Sequence, residues 1–196
     1  FSMRTLMGTP SMKVIADHGV QEEPYTHRRY QSINTEILGQ IIKNATGCSL
    51  AEYMEEKLWK RIGAEQDAYW TLSNGTELAM GGLSVSLRDY ARFARLYLNG
   101  GSFHGEQILT KEWVRDSMDV SAAYSRPGAN QDVYNAIGYG YQWWVPEGDR
   151  GEFMAIGVYG QWMYADPSRQ IIIVKTSADP DFMSKDYELK HVEFFR

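Results

Sequence analysis

The sequence predicts an α+β fold in which an antiparallel sheet is flanked by helices. Three observations predict it. Apolar residues recur at helical spacing from Ile33 to Val114. After Pro127 the pattern changes to aromatic and β-branched runs bounded by Gly and Pro. The last two of those runs are joined by a short turn, which requires antiparallel pairing. Helices first, a sheet next and a closing helix is not the alternating order of a parallel α/β fold.

The elements follow in chain order. Up to Arg29 periodicity is poor, and Gly8, Pro10, Gly19 and Pro24 punctuate a loop with room for one short helix. Ile33, Ile37, Leu38, Ile41, Ile42 and Ala45 then mark a helix that Gly47 stops. Ser49-Leu-Ala-Glu52 is a capping box, opening a helix with Leu50, Tyr53, Met54 and Leu58. Ser86 to Asp89 starts a further helix, with Tyr90, Phe93, Leu96 and Tyr97, ending at Asn99-Gly100-Gly101. A shorter one follows Thr110, with Trp113 and Val114 expected inside. Gly138 to Val145 reads as one strand, Phe153 to Ala165 as a second and Gln170 to Ser177 as a third. Asp166-Pro-Ser-Arg169 suits a type I turn between the last two. Phe182, Leu189, Val192 and Phe195 give a closing helix its apolar face.

Composition narrows the function. Apolar residues make up 43% and charged residues 23%, ordinary for a globular protein. A net charge of −5 leaves no basic footprint for nucleic acid. Apolar runs reach only four residues, as at Ile171 to Val174; they are strand-sized and predict no membrane span. Cys48 is the single cysteine, so neither an internal disulfide nor a thiolate cluster can form. It reads as a small buried thiol. Asp17-His18 with Glu22, Glu23 and His27 matches no metal-ligand spacing and reads as a polar loop. Lys57-Leu-Trp-Lys-Arg61 is a charged helix end.

Two segments carry chemistry. In Tyr30-Gln-Ser32 a phenol stands just before a helix, with a hydroxyl two positions on. A phenol is a poor base with a pKa of about 10, but an adjacent Lys ammonium stabilises its phenolate, which can then deprotonate a Ser hydroxyl. Two-residue spacing across an extended turn points both side chains the same way, so Ser32 can join that network. The plainer alternative is that Tyr30 packs at the helix start and Ser32 caps it. The second segment runs from Ala155 through Gly157, Val158 and Gly160 to Pro167. Glycines inside a strand mark close approach of a ligand or of another backbone. Small residues at a strand edge can offer a backbone N–H to a developing oxyanion; packing against the last helix is the alternative.

Together these segments resemble the serine β-lactamase and penicillin-binding-protein family, and within it the class C, esterase and 6-aminohexanoate-dimer hydrolase branch. The family's Tyr-x-Asn stands here as Tyr30-Gln-Ser32, and its downstream Gly falls on Gly39. Leu78-Ala-Met-Gly81-Gly82-Leu, Leu87 to Gly101 and Gly138 to Trp144 resemble the same branch. The resemblance runs from about Tyr30 to Ser177. It implies a β-lactamase/transpeptidase-like fold, and a single domain spanning 1–196 that is the C-terminal portion of a larger one, with N-terminal elements missing. It implies Tyr30 and Ser32 as catalytic residues, Gly157 and Val158 at the oxyanion and Trp144 in the substrate wall. Trp143 and Trp144 alternate, so one is expected on the core and the other on the cleft or solvent.

Two departures qualify the resemblance. The family's Lys-Thr-Gly is not found where expected; Ala155-Ile-Gly157 stands near its place, which favours amide or ester substrates over β-lactams. The family's Ser-x-x-Lys occurs nowhere in the sequence. Ser11-Met-Lys13 has one intervening residue, which on a helix separates the two side chains by about 200 degrees. The nucleophile and its Lys are therefore expected before Phe1, a chain start without Met, and the N-terminal part becomes an expected partner alongside a small-molecule substrate. No metal or organic cofactor is implied. A bacterial periplasmic or cytoplasmic protein is. A non-catalytic binding or regulatory module on the same fold, or an unrelated α+β binding domain, remains the rival reading.

Overall fold

A computed structural model of the chain describes Arg4 and residues 8–19, 22–129 and 137–196. The expected loop over residues 1–7 and any element at 130–136 lie outside the described residues, Arg4 excepted. The chain divides into two compact units: Phe1–Glu23 with Tyr30–Ser86, and Pro24–Arg29 with Leu87–Arg196.

The first unit is mainly helical. α1 (Ser11–His18) is a short helix in the opening segment. α2 (Ser32–Thr46) ends as predicted, with Gly47 in the left-handed conformation at φ 71° and its N–H on the Lys43 carbonyl. The capping box forms: Ser49 accepts from the Glu52 N–H, and Glu52 accepts from the Ser49 N–H. It opens α3 (Leu50–Met54), which widens into a π-helical turn over Glu55–Trp59. Four two-residue strands follow: β1 (Tyr69–Trp70), β2 (Leu72–Ser73), β3 (Thr76–Glu77) and β4 (Leu83–Ser84), pairing β1 with β4 and β2 with β3. Val14, Ile33, Leu50, Ile62 and Leu78 are buried here. Cys48 is exposed rather than buried, because the helix stop at Gly47 turns the chain outward.

The second unit is a five-stranded sheet covered on both faces. α4 (Leu87–Leu98), the small hairpin β5 (Ser102–Phe103) and β6 (Glu106–Gln107), and α5 (Lys111–Ser117) precede it. The Thr110 hydroxyl caps α5 through the Trp113 N–H. β7 (Ile137–Tyr139), β8 (Trp144–Pro146), β9 (Phe153–Gly157), β10 (Gln161–Asp166) and β11 (Ile171–Lys175) form an antiparallel meander in chain order. α6 (Lys185–Phe195) closes the unit, capped by Ser184. Period-2 alternation sorts the side chains: Phe153, Met163 and Ala165 join Ala94, Tyr97 and Val114 on the α4 and α5 face. Met154, Trp162 and Tyr164 join Phe195 of α6 on the other. The Asp166 carboxylate accepts from the Ser168 hydroxyl at 2.6 Å and the Arg169 N–H at 3.1 Å, fixing the predicted turn between β10 and β11.

Three expectations are corrected. Gly138 to Val145 is not one strand but β7, a turn and β8. Phe153 to Ala165 is likewise two strands, split by a 3₁₀ turn at Val158–Gly160. Trp113 is 48% exposed while Val114 is buried, since adjacent helical residues are about 100 degrees apart and cannot share a face.

Candidate active site

Tyr30 and Ser32 lie in the first unit. α2 begins at Ser32, and Gln31 is its N-cap, extended at φ −142° and ψ 124° with no side-chain cap bond. Ser32 is thus the first helical residue and not the cap, which removes the plainer role considered for it. Tyr30 is 44% exposed. The shielding of the rest of the residue raises its phenol above the ordinary value, because desolvation penalises the phenolate. A phenol in that state holds its proton. A cation placed beside a phenol favours its phenolate.

The motif's other residues hold the helix in place. Gly39 faces Ala79 so closely that a Cβ would overlap the alanine Cβ, with Leu50 Cδ1 at 3.3 Å. Glu36, fully buried, accepts from the Met80 N–H at 3.4 Å. Together they tie α2 to the Leu78–Gly82 segment. Sequence reasoning missed Glu36, although a Glu on the buried side of an apolar helix face was a signal for it.

Gly157 and Val158 lie in the second unit, at the turn joining β9 to β10. Gly157 is extended at φ −116° and ψ 164°. Val158 is 62% exposed and Tyr159 54% exposed. Tyr159 adopts φ 60°, unusual for a residue with a side chain, and Gly160 adopts φ 81°. Strained backbone in an exposed turn is a recurrent mark of a functional site. The glycines therefore belong to a reversal of the chain, and the candidate N–H of Val158 stands at its outer edge. The Tyr159 carbonyl accepts from the Asp179 N–H at 3.1 Å.

Trp144 is a correction. It is 3% exposed and packs with Ile137, Met154, Trp162 and Tyr164. Trp143 is 4% exposed and packs with Tyr97 and Phe153 on the opposite face. Both sheet faces are covered by helices, so the alternation places one indole in each core layer, and Trp144 forms no substrate wall. Arg28, which sequence reasoning did not single out, donates to the Ile137 carbonyl at 2.7 Å and lies 5.8 Å from the Trp144 ring.

Other candidates are engaged elsewhere. Asp17 pairs with Arg4 at 3.0 Å and Lys13 at 3.8 Å, and the Arg4 hydrogen bond holds its carboxyl below the usual range. Among the described residues no group of three or more His, Cys, Asp or Glu is placed to hold a metal ion, and no helix is long and apolar enough to cross a membrane. A cleft of about 440 Å³ opens in the first unit beside Trp59, Tyr69 and Trp70; none of the predicted site residues lines it.

Comparison with known proteins places these features in a family. Residues 9–193 match the family described as Beta-lactamase. A 6-aminohexanoate-dimer hydrolase of Paenarthrobacter ureafaciens is 34% identical over 158 residues, covering 78% of this chain and 40% of that protein. A Bacillus anthracis structure assigned as a 6-aminohexanoate-dimer hydrolase is 31% identical with a TM-score of 0.81, covering 94% of this chain and 47% of the other. A penicillin-binding protein of Bacillus halodurans is 14% identical with a TM-score of 0.69, covering 97% and 63%, and shares the fold. The chain thus spans less than half the length of the first two relatives and corresponds to a C-terminal part of the β-lactamase/transpeptidase-like fold. With its Tyr30-Gln-Ser32 motif at the head of α2 and a match over nearly all its length, the chain belongs to the beta-lactamase family.

Proposed function

We propose that this chain supplies the proton-transfer and oxyanion-binding parts of a serine hydrolase that cleaves an amide or ester bond through an acyl-enzyme. A Ser outside the chain attacks the substrate carbonyl carbon, and its proton passes to Tyr30, held as phenolate by a Lys also outside the chain. The Val158 N–H, with the N–H of that Ser, takes up the charge on the carbonyl oxygen. As the bond to the leaving group breaks, Tyr30 returns the proton to the departing amine or alcohol. Water then attacks the acyl-enzyme, gives its proton to Tyr30 and frees the acid, and Tyr30 reprotonates the Ser. Ser32 extends the hydrogen-bond network beside the phenol.

One observation carries the reading: Tyr30 heads α2 with its phenol part-exposed. The relatives named for 6-aminohexanoate-dimer hydrolysis favour an amide, since two amino acids joined head to tail share that bond. Ala155-Ile-Gly157 in place of Lys-Thr-Gly argues against efficient β-lactam turnover.

The test uses the full-length protein carrying the Ser-x-x-Lys helix. Tyr30→Phe is expected to lower kcat on a p-nitrophenyl ester by about 10²–10⁴-fold, the usual worth of a general acid–base, with an unchanged circular dichroism spectrum. Undiminished turnover would end the assignment. Absence of labelling of the wild type by a fluorophosphonate would favour the non-catalytic alternative.

A further inference from the structure

The turn that carries Val158 is gripped by an ammonium from another strand. Lys175, the last residue of β11, sits opposite Trp162 in the ladder, on the face covered by α6. Its Nζ lies 2.9 Å from Tyr187 Oη, 3.1 Å from His191 Nε2 and 3.4 Å from the Gly160 carbonyl oxygen. An ammonium has three N–H donors and no acceptor, so these three contacts use it fully. The histidine is prepared for its part. Its Nδ1 lies 2.8 Å from the Tyr187 carbonyl one helical turn back, which makes Nδ1 the donor and leaves Nε2 to accept. The ring is stacked on Trp162, with centroids 5.3 Å apart and planes 7° from parallel.

Tyr187 also presses on the turn directly. A Cβ added to Gly160 would overlap the Tyr187 hydroxyl, and Gly160 has a positive φ. Gly160 is therefore required by the phenol above it as well as by the backbone. Gln161 adds a brace: its side chain bonds the Ser177 carbonyl and accepts from the Ser177 N–H.

We propose that Lys175, with Tyr187, is a positioning residue that holds Gly160 and so aims the Val158 N–H at the substrate oxyanion. The proposal rests on the reading of Val158 as an oxyanion donor. Neither residue touches substrate. The arrangement bonds a turn carbonyl two residues beyond the donor N–H and joins that turn to β11 and α6 at a single atom. A donor held to within about 0.5 Å serves the transition state, whereas displacement of about 1 Å costs on the order of 10²-fold in rate.

The experiment compares three variants of the full-length protein. Lys175→Met keeps the aliphatic stem and removes the ammonium. It is expected to lower kcat by about 10- to 100-fold, up to the cost of a donor misplaced by about 1 Å and below that of a lost one, while KM for a p-nitrophenyl ester changes less than about twofold. Affinity for phenylboronic acid, whose serine adduct is tetrahedral, is expected to fall by the same factor. A merely structural role would lower the melting temperature without that split. Val158→Pro removes the donor itself at a site that accepts proline, because Gly157 before it is extended and Val158 has a negative φ. If Val158→Pro leaves boronate affinity unchanged, the oxyanion reading fails. If Val158→Pro weakens it and Lys175→Met leaves kcat unchanged, the positioning role alone is overturned. Should Lys175→Met not fold, Tyr187→Phe decides: a several-fold fall in kcat at constant KM supports the proposal, and unchanged kcat overturns it.

Discussion

Removing the carboxylate of Glu152 should cost more than any single surface ion pair would suggest, and the coupling to Tyr164 is where the cost lies. Glu152 is 3% exposed, just before β9. It accepts from Arg150 Nη2 at 2.6 Å and Nε at 3.0 Å, from Tyr164 Oη at 2.6 Å and from Arg196 Nε at 3.2 Å. Burial, with Glu152 as acceptor, pushes the Tyr164 phenol far above its ordinary value, so the hydroxyl is a committed donor. Glu152→Ala leaves that hydroxyl buried without its acceptor, a penalty of about 1–3 kcal/mol. Breaking a buried charged pair costs about 3–5 kcal/mol when the partner charge is stranded. Arg150 is not stranded, because Asp166 remains 3.5 Å away. The loss should therefore fall near the lower bound, about 3 kcal/mol, a large share of a domain stability of about 5–15 kcal/mol. Urea unfolding of the full-length protein measures it, and a double-mutant cycle with Tyr164→Phe locates it. In the Glu152→Ala background Tyr164→Phe should be neutral or stabilising, giving a coupling of about 1–2 kcal/mol. A coupling below about 0.5 kcal/mol would refute the assignment of the phenol to Glu152.

Two further predictions use the same reasoning. Gly39→Ala sets a helix-propensity gain of about 1 kcal/mol against overpacking on Ala79 of about 1–3 kcal/mol; the urea midpoint should fall, and a rise would mean α2 and Ala79 are not in contact. Burial alone would raise the Asp166 carboxyl, but the Ser168 hydroxyl, the Arg169 N–H and the charges of Arg150 and Arg169 hold it below its usual range. A depressed folded-state pKa gives stability that is full above the unfolded value and lost as pH falls through the folded one, so Asp166→Asn should flatten the acid side of the stability–pH curve below about pH 4. A curve of unchanged slope there would exclude Asp166 as a contributor.

The fold was legible where a local rule suffices. Gly47 ends α2 because only a residue without Cβ enters the left-handed region cheaply. Ser49, Thr110 and Asp166 do what their side chains do in any helix start or turn. The split of Phe153 to Ala165 was not legible, because the reversal is made by Val158-Tyr159-Gly160, and no turn preference favours a positive φ at tyrosine. What holds Tyr159 there comes from beyond the segment: the Asp179 N–H on its carbonyl, and Lys175 and Tyr187 on the next residue. The error on Trp144 has the same origin. Alternation told which tryptophan opposes which, but not that α6 would cover the second face. A sequence window holds the period of a strand; it does not hold what packs on it.

The candidate site divides along the same line. Tyr30 was singled out by its place before a helix start and given a role only through the family resemblance, and its state is set by surroundings no window contains. Within this chain burial raises the phenol, so at neutral pH it carries its proton. Each unit of pKa that a neighbouring cation takes back is worth about 1.4 kcal/mol of stabilisation of the phenolate. A Lys placed by a helix outside this chain would therefore convert Tyr30 from acid to base by charge alone, with no change in its own geometry. On the proposed function, docking of such a helix would bring the nucleophile and make the base in one step. This chain presents a protonated phenol in one unit and a strained, exposed turn in the other.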